Sequence, residues 1–232
     1  MPELTISAAD GGRFNAYIAT PKSGKGDGVI VIQEIFGVNA VMRAATDVLA
    51  ANGYVVICPD LFWRIEPGIT LTDRTDAEWK RAFELFKAFD VDKGVADLKA
   101  TLAALRGHAA CTGKVGTVGY CLGGKLAYLM ATRSDADCNV GYYGVGIQDL
   151  LAESSKITRP LLLHIAEKDE FTPPPAQEKI KAGLRSNPQV TLHSYPDCDH
   201  AFARVGGQHY DKAAAELANR RTAEFFRRHL GA

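Results

Sequence analysis

Residues 119–124 read Gly-Tyr-Cys-Leu-Gly-Gly. They follow 114–118, a short run with strand character, and precede 125–131, which reads as the body of a helix. A cysteine between small residues at a strand-to-helix junction could serve packing, redox chemistry, metal binding or nucleophilic attack. The first five residues have the spacing of the G-x-S-x-G nucleophile elbow, with sulfur in place of oxygen. That turn is sharp, so the strand and the helix approach closely and the positions two before and two after the nucleophile must be small. Gly119 and Gly123 meet the need. Cys121 then sits at a helix N-terminus, whose partial positive charge favours a thiolate. The pattern alone is equally compatible with a structural cysteine at a tight turn, so the surrounding chain has to decide.

Outward from the elbow, strands and helices alternate. The run 28–34 is continuously apolar until a final polar pair, as in a strand buried on both faces. Apolar residues at helical spacing follow over 39–52, with Gly53 as a C-terminal stop. Strand character returns at 55–58, 114–118, 140–143, 160–166 and 190–195. Helices are expected at 75–88, 92–106, 122–132, 174–184 and 210–229, with a short one at 147–154. Segments 4–8 and 14–19 alternate like an antiparallel hairpin about Asp10-Gly11-Gly12. Repeated β-α-β units mean a mostly parallel central sheet flanked by helices, here with an N-terminal antiparallel hairpin. The stretch 62–74 reads as a loop feeding a lid or pocket wall. No repeat or linker divides the chain, so 1–232 is expected to be a single domain.

Composition narrows the function. Lys+Arg and Asp+Glu number 27 each, which gives no basic excess for nucleic-acid phosphates. The N-terminus has no secretory signal pattern and no apolar run reaches membrane-spanning length. A cytoplasmic protein is therefore expected, with neither membrane nor nucleic acid as partner. The five cysteines contain no C-x-x-C pair, so neither a zinc site nor a thioredoxin-like motif is suggested. Five free thiols are expected.

In open parallel sheets, function gathers at the carboxyl ends of the strands. Glu34, Asp60, Cys121, Asp169 and His200 stand at those ends. Cys121, Asp169 and His200 follow the nucleophile–acid–histidine order of elbow hydrolases. In that reading Asp169 orients the imidazole, and His200 pairs with the thiol and moves its proton. Glu167 and Glu170 are the alternatives for the acid. The oxyanion hole would come from the backbone N–H groups of Leu122 and Ile35. Glu34 beside a thiol disfavours the thiolate, but it makes sense as the group that takes the thiol proton when substrate arrives.

Taken with Gln-Glu-Ile-Phe-Gly-Val-Asn-Ala at 33–40, Cys-Pro-Asp-Leu at 58–61, Lys-Val-Gly-Thr-Val-Gly-Tyr-Cys-Leu-Gly-Gly at 114–124, Gly-Tyr-Tyr-Gly-Val-Gly at 141–146 and His-Ala-Phe-Ala-Arg at 200–204, the chain resembles the dienelactone hydrolase (carboxymethylenebutenolidase) family. The matches span nearly the whole chain in order. The resemblance implies an α/β-hydrolase fold and a Cys-His-Asp triad of Cys121, His200 and Asp169, with Glu34 contacting the resting thiol. No metal and no cofactor are expected, since carboxylates or histidines at metal spacing are absent around Glu34 and acyl transfer needs no cofactor. The resemblance also implies two arginines holding a substrate carboxylate. Arg204 matches one. Trp79 stands where the other would be, with Arg81 or Lys80 as substitutes, and Phe36 and Tyr142 are expected to line the pocket.

The activity implied is hydrolysis of a lactone or small activated ester through an acyl-thioester, in bacterial breakdown of aromatic compounds. A dienelactone of the 4-carboxymethylenebut-2-en-4-olide type is the expected substrate and a monomer the favoured state. A generic carboxylesterase or thioesterase is the alternative within the class. A non-catalytic small-molecule binder on the same fold is the alternative outside it, and a thiol oxidoreductase is weaker, since only Cys198 is placed to resolve a disulfide.

Overall fold

The computed structural model describes residues 3–231. They form two compact units, one ending at Gly116 and the other starting at Thr117, so the boundary falls inside a strand.

The first unit starts with the expected hairpin, β1 (Glu3–Ser7) and β2 (Arg13–Ala19), paired antiparallel with Glu3 opposite Tyr17. Next come β3 (Gly26–Ile32), α1 (Ala40–Ala51), β4 (Val55–Pro59), α2 (Asp76–Ala88), α3 (Val91–Arg106) and the first part of β5 (Cys111–Tyr120). The strand order is β1-β2-β4-β3-β5. β2 pairs antiparallel with β4, and β3 pairs parallel with β4. Residues 29–32 and 55–58 are fully buried, as the unbroken apolar runs require of strands covered on both faces. Each helix has a side-chain cap at its start: Asn39 for α1, Thr75 for α2 and Asp90 for α3.

The loops at the ends of β3 and β4 are tied together. The Gln33 side chain accepts from the Leu61 N–H at 3.0 Å. The Leu71 N–H donates to the Phe36 carbonyl at 2.9 Å, and Asn39 Nδ2 donates to the Leu71 carbonyl at 2.9 Å. Gly37 has φ +75°, and a Cβ there would lie 2.0 Å from the Ile69 carbonyl oxygen, so only glycine lets the 69–71 segment approach. The expected loop at 62–74 is thus a fixed wall over residues 34–37.

The second unit holds the end of β5, α4 (Leu122–Arg133), β6 (Cys138–Tyr142), β7 (Leu161–Ala166), α5 (Pro174–Leu184), β8 (Val190–Tyr195) and α6 (Lys212–His229). The order is β5-β6-β7-β8, with β6, β7 and β8 parallel. The short helix expected at 147–154 is instead two 3₁₀ turns, Ile147–Asp149 and Leu151–Lys156. The stretch is too short to sustain an α-helix, and Gly146 enters it in the left-handed region at φ +82°. No described helix is long and apolar enough to cross a membrane.

Candidate active site

Strand β5 ends at Tyr120 and α4 begins at Leu122, which leaves Cys121 alone on the turn. Its φ of 56° and ψ of −114° are strained for a residue with a side chain. The reason for the flanking glycines is steric. A Cβ on Gly119 would stand 1.9 Å from the Gly123 carbonyl oxygen, and one on Gly124 would stand 2.5 Å from that of Tyr142. The turn is latched to β6 by the Cys121 N–H, which donates to the Tyr142 carbonyl at 3.1 Å. Leu122 is the first residue of α4, so α4 itself supplies no partner for its N–H.

Asp169 follows β7 and is 2% exposed. One carboxylate oxygen accepts the Phe171 N–H at 2.8 Å, and the other accepts His200 Nδ1–H at 2.8 Å. His200 follows β8 and is buried, and its imidazole is hydrogen-bonded to Cys121 as well. The structure therefore brings Cys121, His200 and Asp169 into one hydrogen-bonded chain. Of the alternative acids, Glu167 pairs with Lys181 and Glu170 is exposed. Burial works against a charged His200. The neighbouring Cys121 and the hydrogen bonds and charge of Asp169 outweigh it and push its pKa up to about 10. An imidazole held this way donates through Nδ1 to the acid and faces the sulfur through Nε2.

His164 is occupied elsewhere. It is buried in β7, with Nδ1 on the Tyr195 hydroxyl at 2.9 Å and Nε2 on the Thr222 hydroxyl at 3.0 Å. Its burial pushes the pKa well below the ordinary imidazole value, so it is neutral scaffolding between β7 and α6.

Tyr142 requires a correction. It does not line the pocket. Its ring is fully buried, and its hydroxyl bonds Asn219 at 3.0 Å and Thr222 at 2.6 Å on α6. Successive strand residues face opposite sides, and the next residue, Tyr143, turns toward His200 instead. Its backbone is left-handed at φ 39°. Its ring lies edge-on to His200 with centroids 5.2 Å apart, and likewise to Phe202 at 5.6 Å. Phe171 meets His200 edge-on at 4.8 Å and is 37% exposed. Sequence reasoning missed Tyr143 and Phe171. The available signal was an aromatic residue next to each candidate position, Tyr143 directly after β6 and Phe171 in the loop of Asp169. Arg204 is 7% exposed, in the turn after His200.

In the first unit, Glu34, Ile35 and Phe36 follow β3 and are buried. Phe36 meets Trp79 edge-on at 5.0 Å, and Trp79 stacks on Phe83 at 5.6 Å. Arg81 forms ion pairs with Glu66 and Glu84, and Lys80 is exposed. Among the described residues, no group of three or more His, Cys, Asp or Glu side chains is placed to hold a metal ion. The five cysteines are free.

Comparison with known proteins gives one consistent answer. Residues 14–230 match the model of the dienelactone hydrolase family. A protein of Azospirillum brasilense, provisionally named a carboxymethylenebutenolidase, is 52% identical over the full length of both chains. The carboxymethylenebutenolidase of Pseudomonas putida is 39% identical, with 96% of this chain and 94% of that one covered. A crystal structure from Klebsiella pneumoniae, provisionally described as a dienelactone hydrolase, superposes with a TM-score of 0.85 at 28% identity over 97% of both chains.

Proposed function

Because the chain belongs to the dienelactone hydrolase family and is a hydrolase of ester or lactone bonds, we propose that it opens lactones of the 4-carboxymethylenebut-2-en-4-olide type through a thioester on Cys121. Such chemistry would serve bacterial breakdown of aromatic compounds. The observation that carries this reading is the buried chain from Asp169 through His200 to Cys121, with its 2.8 Å carboxylate–imidazole bond. In this reading the two units act as one α/β-hydrolase domain, since β5 runs unbroken across their boundary.

The steps follow from the residues' chemistry. The Cys121 thiolate attacks the lactone carbonyl carbon, and the resulting oxyanion takes hydrogen bonds from the Leu122 and Ile35 N–H groups. Collapse breaks the ring C–O bond, and the leaving oxygen takes the proton held on His200 Nε2. Water then attacks the thioester and gives a proton to His200. The C–S bond breaks, so the free acid leaves and the thiolate returns. Glu34 receives the thiol proton when substrate enters and returns it to Cys121 once the acid has left, a role that its burial at the end of β3 suits. Arg204 takes the substrate carboxylate through its planar fork.

The second reading, a carboxylesterase or thioesterase for neutral substrates, has its own support. Phe36, Trp79 and Phe83 form an aromatic row, and Arg81 is already committed to Glu66 and Glu84. One experiment addresses both. Acid-quenched turnover of cis- and trans-dienelactone, beside simple aryl esters, is followed by mass spectrometry of the Cys121 peptide. The proposal expects an acyl group on Cys121 and higher kcat/KM on the dienelactones. Turnover without acylation would refute the thioester. Faster aryl-ester turnover would favour the second reading.

A further inference from the structure

A small cavity of about 10 Å³ lies behind the triad carboxylate, with Gly141, Tyr143, Gly144, Ala166, Asp169 and Thr172 in its wall. That is about the room one water molecule needs. Thr172 is 4% exposed, and its hydroxyl is enclosed with no hydrogen-bond partner among the protein groups. Folded proteins rarely leave a buried hydroxyl in that state. The turn carrying it is held in place. The Thr172 N–H donates to the Asp169 carbonyl at 3.3 Å, and Gln177 Nε2 donates to the Thr172, Ala166 and Glu167 carbonyls at 2.7, 3.1 and 3.2 Å. Asp169 has acceptor capacity to spare. An ionised carboxylate offers about four lone-pair sites, and Phe171 and His200 occupy two. Much of the remaining wall is apolar, including Leu163 and Ile165, and both ring nitrogens of His164 are engaged elsewhere.

We propose that this cavity holds one ordered water, anchored on the Thr172 hydroxyl and donating to the Asp169 carboxylate, and that Thr172 is thereby a positioning residue for the triad. The water gives the carboxylate a third donor. A carboxylate with three donors cannot rotate without losing one. Its second oxygen therefore stays on His200 Nδ1–H, and Nε2 stays aimed at the sulfur. This inference rests on the triad reading of Cys121, His200 and Asp169.

The test combines a crystal structure with two variants. Crystals of the wild-type enzyme, diffracting well enough to resolve waters, are expected to show a density peak within hydrogen-bond distance of Thr172 Oγ1 and the Asp169 carboxylate. Thr172→Val keeps the shape and removes the hydroxyl. It is expected to lose about tenfold in kcat on an aryl ester, the worth of one hydrogen bond to a charged group, with KM unchanged. It should also shift the downfield proton resonance of His200 Nδ1–H. Thr172→Ser restores the hydroxyl and is expected to restore both readouts. An empty cavity in the wild-type crystal overturns the proposal, whether or not the valine variant folds. So does a valine variant with wild-type kcat and resonance, or a serine variant as impaired as the valine one. A fully active Asp169→Asn enzyme would remove the triad reading instead, which is a distinguishable failure.

Discussion

Asp169→Asn should cost far more than its near-identical shape suggests, and the structure says why. In the native site the first carboxylate oxygen accepts the Phe171 N–H and the second accepts His200 Nδ1–H, both at 2.8 Å. An asparagine has only one oxygen. The Phe171 N–H is a backbone donor in a fixed turn, so the amide oxygen settles there and the amide NH₂ faces His200. Two donors cannot share that bond, so Nδ1 loses its proton and the imidazole adopts the other tautomer. Nε2 then holds the ring's one proton, which it cannot give to the leaving oxygen without becoming an imidazolate, and it cannot accept a proton from the attacking water. A mis-set tautomer of this kind costs about 10,000-fold in kcat, or about 5 kcal/mol. The assay is steady-state hydrolysis of a chromogenic aryl ester. A loss below about tenfold would refute the reasoning, because it would mean that Asp169 does not set the tautomer. A stability measurement gives a second check. His200 is raised from the ordinary 6.5 to about 10 by Cys121 and Asp169 against the effect of burial. For a raised histidine, the stabilisation is complete below the unfolded value and is lost as pH climbs through the folded one. Wild-type stability should therefore fall as pH approaches 10. The fall should be shallower in Asp169→Asn, where Cys121 alone opposes the effect of burial.

Three further outcomes are expected. Glu34→Gln should lower kcat/KM by about 100-fold if the carboxylate takes the thiol proton; a wild-type rate, measured with a thiol-reactive probe as a control for Cys121, would assign that proton elsewhere. Arg204→Ala should lose about 2–5 kcal/mol of transition-state binding on a carboxylated lactone and much less on its methyl ester, so equal losses on the matched pair would deny it a part in recognition. Asp97 is fully buried and accepts Trp63 Nε1–H at 2.8 Å and two Arg64 bonds at 3.0 and 2.8 Å. Asp97→Ala leaves the Trp63 N–H without its acceptor and Arg64 with Asp10 alone, and should destabilise the fold by about 2 kcal/mol in urea titration; a loss under about 0.5 kcal/mol would show that the cluster contributes little.

Much of this protein was legible in the chain itself. The apolar run that opens 28–34 and the run 160–166, interrupted only by His164, read as strands covered on both faces, and β3 and β7 lie there. The elbow was equally plain. Glycine at 119 and 124 is a steric demand of one tight turn, and such local demands are written in adjacent residues. Chain order narrowed the acid to Asp169, Glu167 and Glu170, but only folding chose among them. Asp169 alone is buried against His200, and that choice depends on how two loops separated by 31 residues meet. Tyr142 and Tyr143 show the same boundary more sharply. Sequence put two adjacent tyrosines at the end of β6. Which one faces the histidine and which bonds α6 was decided by the strand's alternation, by the left-handed turn at Tyr143, and by hydroxyl partners on a helix near the far end of the chain. Local sterics and periodicity can be read along a sequence. The convergence of side chains from distant segments is settled by packing.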